Sequence, residues 1–183
     1  MKVITLFTYC LLAVMLTIVP VSSSCAQQKE IEKAYKIKAA FLLNFAKFIN
    51  WPEESFQSDK KSFKICVLGD SPFGSSLSPF TSRSVCRKKI DLQYLSTVHQ
   101  AESCQLLFVS ASEKENFGII QRTLGDRPIA MVSDIEGFAQ SGGTIEFVSE
   151  ENKLSFIINL RRAREQRLEI HSALLNLASE VIQ

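Results

Sequence analysis

FKICVLGD, residues Phe63–Asp70, is the stretch that decides the fold. It is short, apolar and β-branched until it ends in Gly69-Asp70, the pattern of a strand buried on both faces and followed by a loop. CQLLFVS (Cys104–Ser110) repeats the pattern, and Pro128 to Val132 is a third such run. Lys89 to Leu95 alternates through Ile90, Leu92 and Tyr94, as a half-buried strand does. Helical spacing falls between the strands. Phe73 to Phe80 predicts a short helix, and Glu113 to Leu124 a longer one with Phe117, Ile120 and Leu124 on one face and Gly125 as its stop. Ile135 to Gln140 supplies a further turn or two before Gly142-Gly143. Thr144 to Val148 and Leu154 to Ile158 flank a polar connection and predict an antiparallel hairpin. From Asn159, a favourable N-cap, the pattern is helical to the end, with a break near Leu168 to Ile170 and an apolar stripe of Ala173, Leu174, Leu177, Ala178 and Val181. Strands alternating with helices predict an α/β fold. The expectation is a single compact domain with a mainly parallel sheet, helices on both faces and a C-terminal antiparallel hairpin at the sheet edge.

Upstream of the first strand, Ile31 to Ile49 reads as one helix. Ile31, Tyr35, Leu42, Phe45 and Ile49 share a side, and Trp51-Pro52 ends it, since proline disfavours helix in the residue before it. Its second half is more apolar than a surface helix requires. Either it is buried against the core, or some of Phe41, Phe45 and Phe48 remain exposed as a partner-binding surface.

The first 26 residues form a separate object. Lys2 is followed by an uncharged run, Val3 to Val21, then by Ser22-Ser23-Ser24-Cys25-Ala26. This is the charged start, apolar middle and small-residue cleavage site of a secretory signal peptide. Residues 1–26 are expected to be removed, leaving an exported domain of residues 27–183. A membrane anchor and a lipoprotein starting at Cys25 are the alternatives, the latter weakened by Ser22 where a Leu-like residue belongs.

The chain has 183 residues, enough for one domain. Lys and Arg number 21 against 19 Asp and Glu, so nothing in the balance demands nucleic acid. Two histidines and no supporting cluster give no metal site, and no cofactor motif occurs. Gly69-Asp70-Ser71-Pro72-Phe73-Gly74 lacks the middle glycine of a dinucleotide fingerprint, and no G-x-S-x-G surrounds a serine. Asp70 and Asp134 follow apolar strands, where α/β sheets place their sites, and form the best catalytic pair on offer. Their ordinary role is to cap turns. Arg161, Arg162, Arg164 and Arg167 form a basic group among glutamates: a salt-bridged solvent face, or a contact for an acidic partner.

Beyond the leader the cysteines are Cys66, Cys86 and Cys104. Strand neighbours lie about 4.8 Å apart, so Cys66 and Cys104 are within bonding reach if their strands are adjacent. A bridge closing such a loop stabilises by about 4 kcal/mol. Two buried thiols are the alternative. Cys86 sits beside Arg87, Lys88 and Lys89 as a free thiol, redox-sensitive or inert.

Taken together, KAAFLLNFAKFINWP (Lys38–Pro52), ICVLGDSPFG (Ile65–Gly74), CQLLFVS, VSDIEGFAQSGG (Val132–Gly143), Ile157-Ile158-Asn159 and HSALLNLA (His171–Ala178) resemble the YfiR family of exported bacterial regulators. The resemblance implies a compact α/β domain that dimerises. It also implies a periplasmic, non-enzymatic repressor that binds the outer domain of an inner-membrane diguanylate cyclase or sensor kinase. An outer-membrane lipoprotein partner, or a change of disulfide state, relieves that inhibition in the family. Cys66 and Cys104 match the family's disulfide positions, whereas a second pair found in some members is absent here. The partner surface is expected on the first helix (Phe41, Phe45, Phe48) and the last helices (Arg161, Arg164). A small-ligand sensor using the strand-end cleft near Asp70 and Asp134 is the alternative, and a hydrolase a weaker third.

Overall fold

The computed structural model describes residues 22–183 apart from 58, 151 and 152; the apolar leader run, Val3 to Val21, lies outside them. The chain divides into two units, Met1–Lys33 and Ala34–Gln183. Helix α1 spans Ser22–Phe48. In the first unit its exposed turn carries a Glu30–Lys33 pair at 3.9 Å.

In the second unit the strands are β1 (Ile49–Asn50), β2 (Ser62–Leu68), β3 (Ser84–Val85), β4 (Lys88–Leu95), β5 (Leu106–Val109), β6 (Ala130–Ser133), β7 (Ile145–Glu150), β8 (Lys153–Asn159), β9 (Glu169–Ile170) and β10 (Glu180–Ile182). Helices α2 (Phe117–Leu124), α3 (Leu160–Glu165) and α4 (Ser172–Leu175) complete the set. The main sheet runs β10-β8-β7-β6-β5-β2-β4-β3. Pairing is parallel from β7 through β4 and between β8 and β10, and antiparallel in the β7–β8 hairpin and between β3 and β4. This is the α/β architecture that the apolar runs predict.

Alternation along each strand loads both faces. Ile65, Val67, Leu106, Phe108, Ala130 and Val132 face one core, which α1 covers with Ala39, Leu42, Phe45 and Ala46. Cys66, Leu68, Leu107, Val109 and Met131 face the other, covered by Phe117, Ile120 and Leu124 of α2. A strand with both faces dry must be apolar at every position, which is why these runs read so clearly.

The long C-terminal helix does not form. Asn159 does cap α3, accepting from the Arg162 amide at 2.8 Å, but α3 ends after six residues. Gln166 is fully buried, donating to the Ile129 carbonyl at 2.9 Å and accepting from the Thr144 hydroxyl at 2.9 Å. Arg167 then turns the chain at φ 56°. The break near Leu168 to Ile170 is strand β9, paired antiparallel with β1, and after the short α4 the chain enters the sheet as β10, parallel to β8. The hairpin therefore lies inside the sheet, with β10 as the edge. Phe73 to Phe80 forms turns leading into a 3-10 segment, Ser78–Ser82, and the first half of the helix read over Glu113 to Leu124 is also 3-10, Ala111–Asn116.

Candidate interaction surface

The carboxyl ends of β2 and β5 mark the place where the chain reverses its winding direction, the usual ligand crevice of such a sheet. Here the protein's own chain fills it. The Ser110 amide donates to the Leu68 carbonyl at 3.0 Å, and the Asp70 amide to Ser112 Oγ at 3.0 Å. Gly69, at φ 83°, passes so close that a Cβ would lie 2.5 Å from Ser112 Oγ. Asp70 itself is exposed.

Asp134 follows β6 and is spoken for. Tyr35 and Lys38, one helical turn apart on α1, both reach Asp134 Oδ2, the hydroxyl at 2.7 Å and the ammonium at 2.5 Å. The ammonium also lies over the Tyr35 ring, 4.4 Å from its centroid. Burial, and then the donated hydrogen bond to the carboxylate, push the Tyr35 hydroxyl well above its ordinary pKa. Asp134 thus fastens α1 to the sheet, and it is not brought together with Asp70 as a pair. Beside it is an open cleft of about 430 Å³ lined by Lys38, Glu136, Glu146, Phe147 and Leu154. Glu146 is buried with its oxygens committed to the amides of Gly137 (3.0 Å) and Ala139 (2.9 Å).

Cys66 and Cys104 form a disulfide, Cα to Cα 6.2 Å, joining mid-β2 to the residues that lead into β5. Both are buried. Cys86 is a free, exposed thiol in the two-residue turn between β3 and β4, with Cys86 and Arg87 both at positive φ. His99 is exposed beside Glu102 at 3.4 Å, and no nucleophile among the described residues is paired to it. Among the described residues no three His, Cys, Asp or Glu side chains are grouped to hold a metal ion, and no helix is long and apolar enough to cross a membrane.

The three phenylalanines of α1 separate. Phe45 is fully buried, with Phe156 and Phe147 at 5.1 and 5.6 Å between centroids, so it belongs to the core and presents nothing to a partner. Phe41 is half-buried against Phe156 at 5.5 Å. Phe48 is 38% exposed at the helix end, where its carbonyl accepts from the His171 amide at 3.0 Å and its ring stands 6.4 Å from the imidazole. A shallow cleft of about 220 Å³ between Asn50, Glu169, Ile170 and His171 continues this surface. The arginines sort likewise. Arg162 is drawn in, bound to Asp126 at 2.8 Å, Glu165 at 3.1 Å and the Gly125 carbonyl at 2.6 Å, and Arg167 meets Glu54 at 2.7 Å. Arg161 and Arg164 are exposed, with no ion pair to any described residue. The His171–Phe48 contact is not legible in the sequence because it flanks the pairing of β1 with β9, residues more than a hundred positions apart. Tyr35 reads from sequence only as part of the apolar side of α1, and nothing local links it and Lys38 to Asp134, nearly a hundred residues away.

The described residues form an eight-stranded, mainly parallel α/β sheet stapled by a disulfide, with the protein's own chain packed at the sheet-end crevice. The sequence profile of the YfiR/HmsC-like family (DUF4154) matches residues 35–179, and the chain belongs to that family. No curated protein matches it. Among solved structures, the ABC domain in complex with L-Trp from Streptococcus pneumonia is similar at 11% identity and a TM-score of 0.48. The alignment covers 66% of this chain and about half, 55%, of that one, and the likeness carries no argument about ligand or activity.

Proposed function

We propose that this chain is a non-enzymatic periplasmic regulator that binds and represses the periplasmic domain of an inner-membrane diguanylate cyclase, and so acts in cyclic-di-GMP signalling. The observation that carries the reading is family membership across residues 35–179. The leader expected over residues 1–26 places the domain beside such a target, and the buried disulfide suits an oxidising compartment. The contact surface includes Phe48 with its neighbour His171, half-buried Phe41 on the same helix, and exposed Arg161 and Arg164 on α3. Exposed aromatics and arginines free of ion pairs are the residue types that anchor interfaces. The protein works as a homodimer, and an outer-membrane lipoprotein competes for it.

The test is co-purification of tagged protein from detergent-solubilised membranes, alongside cellular cyclic-di-GMP. Wild type recovers a cyclase or a sensor kinase, and deletion of the gene raises cyclic-di-GMP. Recovery of neither, with an unchanged cyclic-di-GMP level, removes the proposal. One observation favours a small-ligand sensor instead, the 430 Å³ cleft beside Asp134. A ligand at a hundred times its dissociation constant raises stability by about 2.7 kcal/mol, which a thermal-shift screen detects.

A further inference from the structure

The chain is nearly neutral, at +2, but its charges are segregated. Residues 60–92 hold seven Lys or Arg and two Asp, while residues 93–183 hold eight Lys or Arg and twelve Asp or Glu. The sheet order turns this into a spatial separation, since β2, β4 and β3 form one end of the sheet and β7, β8 and β10 the other. Register then gathers the cations at one corner. Ser62 pairs with Lys89, Val85 with Lys88 and Ser84 with Lys89, and the Ile90 amide donates to the Arg83 carbonyl at 3.1 Å. Lys60, Lys61, Arg83, Arg87, Lys88 and Lys89 therefore meet where β2 and β4 begin. Lys88 is committed, donating to the Lys60 carbonyl and standing 4.6 Å over the Phe56 ring. The other five are exposed, and none has an ion pair to a described residue. Glu53 and Glu54 share a cleft with Lys60 and Lys88, Glu54 being held by Arg167 at 2.7 Å, and Asp59 caps its own loop, accepting from the Lys61 amide at 2.8 Å. The corner keeps a strong positive excess.

We propose that this corner docks the protein on an anionic membrane face, through the phosphate headgroups of acidic phospholipids. Diffuse charge argues for lipid over an acidic protein. The cations stand on a two-residue hairpin tip and an exposed loop rather than in a concave pocket with fixed, two-pronged hydrogen-bond geometry. Such a set suits a fluid layer of phosphates, where each Lys or Arg strengthens binding about fivefold. Trp51 and Phe56, half-buried in the same cleft as Lys60 and Lys88, are residue types that settle at headgroup depth. The biological sense of the contact rests on the envelope location proposed above. A vesicle measurement needs no protein target, so its failure leaves the cyclase reading standing.

The experiment is co-sedimentation with vesicles of phosphatidylcholine alone and of equimolar phosphatidylcholine and phosphatidylglycerol. Wild type is expected on the acidic vesicles only, and to be released by salt. Lys61→Gln with Arg87→Gln and Lys89→Gln is expected to bind about a hundredfold more weakly at unchanged Tm. Lys114→Gln with Arg122→Gln and Lys153→Gln, all exposed, removes the same charge elsewhere and is expected to bind as wild type. If the first triple does not fold, Arg87→Gln alone at the hairpin tip is expected to lose about fivefold. Wild type free of acidic vesicles, equal binding to both kinds, or equal losses in both triples would each overturn the proposal. So would retention of an acidic protein by the corner without vesicle binding.

Discussion

Lys38 Nζ stands 2.5 Å from Asp134 Oδ2, and Tyr35 donates its hydroxyl to the same oxygen at 2.7 Å. The Lys38 and Asp134 side chains are only 14% and 11% exposed, so removing one partner strands a charge in a poorly hydrated place. Lys38→Met is expected to cost roughly 3 kcal/mol, near the lower end for breaking a buried pair. Asp134→Asn still accepts from Tyr35 but leaves the ammonium unpaired, and should cost about as much. The double variant should be more stable than the sum of the singles implies, because neither charge is then left alone. Urea unfolding of the four proteins reads this directly. Strict additivity would show that the contact contributes nothing.

The same clamp sets a pH dependence. Burial and the carboxylate acceptor favour the protonated Tyr35, so its folded pKa lies above its unfolded value of 10.0. A raised pKa means stability that is present in full below the unfolded pKa and lost as pH rises past it. Wild type should therefore lose stability above about pH 10 more steeply than Tyr35→Phe, which has no proton to release there. Chemical unfolding at a series of alkaline pH values gives the two slopes. Parallel slopes would refute the assignment.

Cys66 and Cys104 are buried on the sheet face covered by α2, so reductant reaches them only after opening. In a chain beginning at Gln27, alkylation of the native protein should modify Cys86 alone. Unfolding with reductant should then add two further sites. Replacing both bridged cysteines with Ala is expected to lower stability by about 4 kcal/mol, the entropic value for a loop of this length. Mass spectrometry and urea unfolding measure the two effects.

The sequence exposes the strands of the sheet and conceals its end. Ile65 to Leu68 and Leu106 to Val109 are dry on both faces, so every position is apolar and no helical period competes. The C-terminal stretch misleads for an equally physical reason. Leu174, Leu177, Ala178 and Val181 keep helical spacing, and only tertiary partners break it: buried Gln166 tied to Ile129 and Thr144, Arg167 turned to positive φ, and β8 offering an open edge to Glu180–Ile182. None of these partners is local, so no window over residues 159–183 contains the signal. The candidate surface was half legible. The aromatic richness of α1 is plain in KAAFLLNFAKFINWP, but which ring turns outward depends on the strands beneath it.

Phe45 and Phe48 are three residues apart on α1, and their substitutions should separate folding from function. Phe45 is wholly enclosed by Phe147, Phe156 and Phe41. Truncating it to Ala removes a buried ring and leaves a cavity, at a cost of about 3–5 kcal/mol. Phe48 keeps much of its ring in solvent, so Phe48→Ala should cost under about 1 kcal/mol. If the surface around Phe48 anchors the partner, that same variant should weaken co-purification tenfold or more, since a central aromatic anchor contributes about 2 kcal/mol to binding. Phe45→Ala should lose binding only in proportion to the unfolded fraction. Both variants are read by urea unfolding and by membrane pull-down. A Phe48→Ala protein that is stable and still fully retained would move the partner surface away from the end of α1.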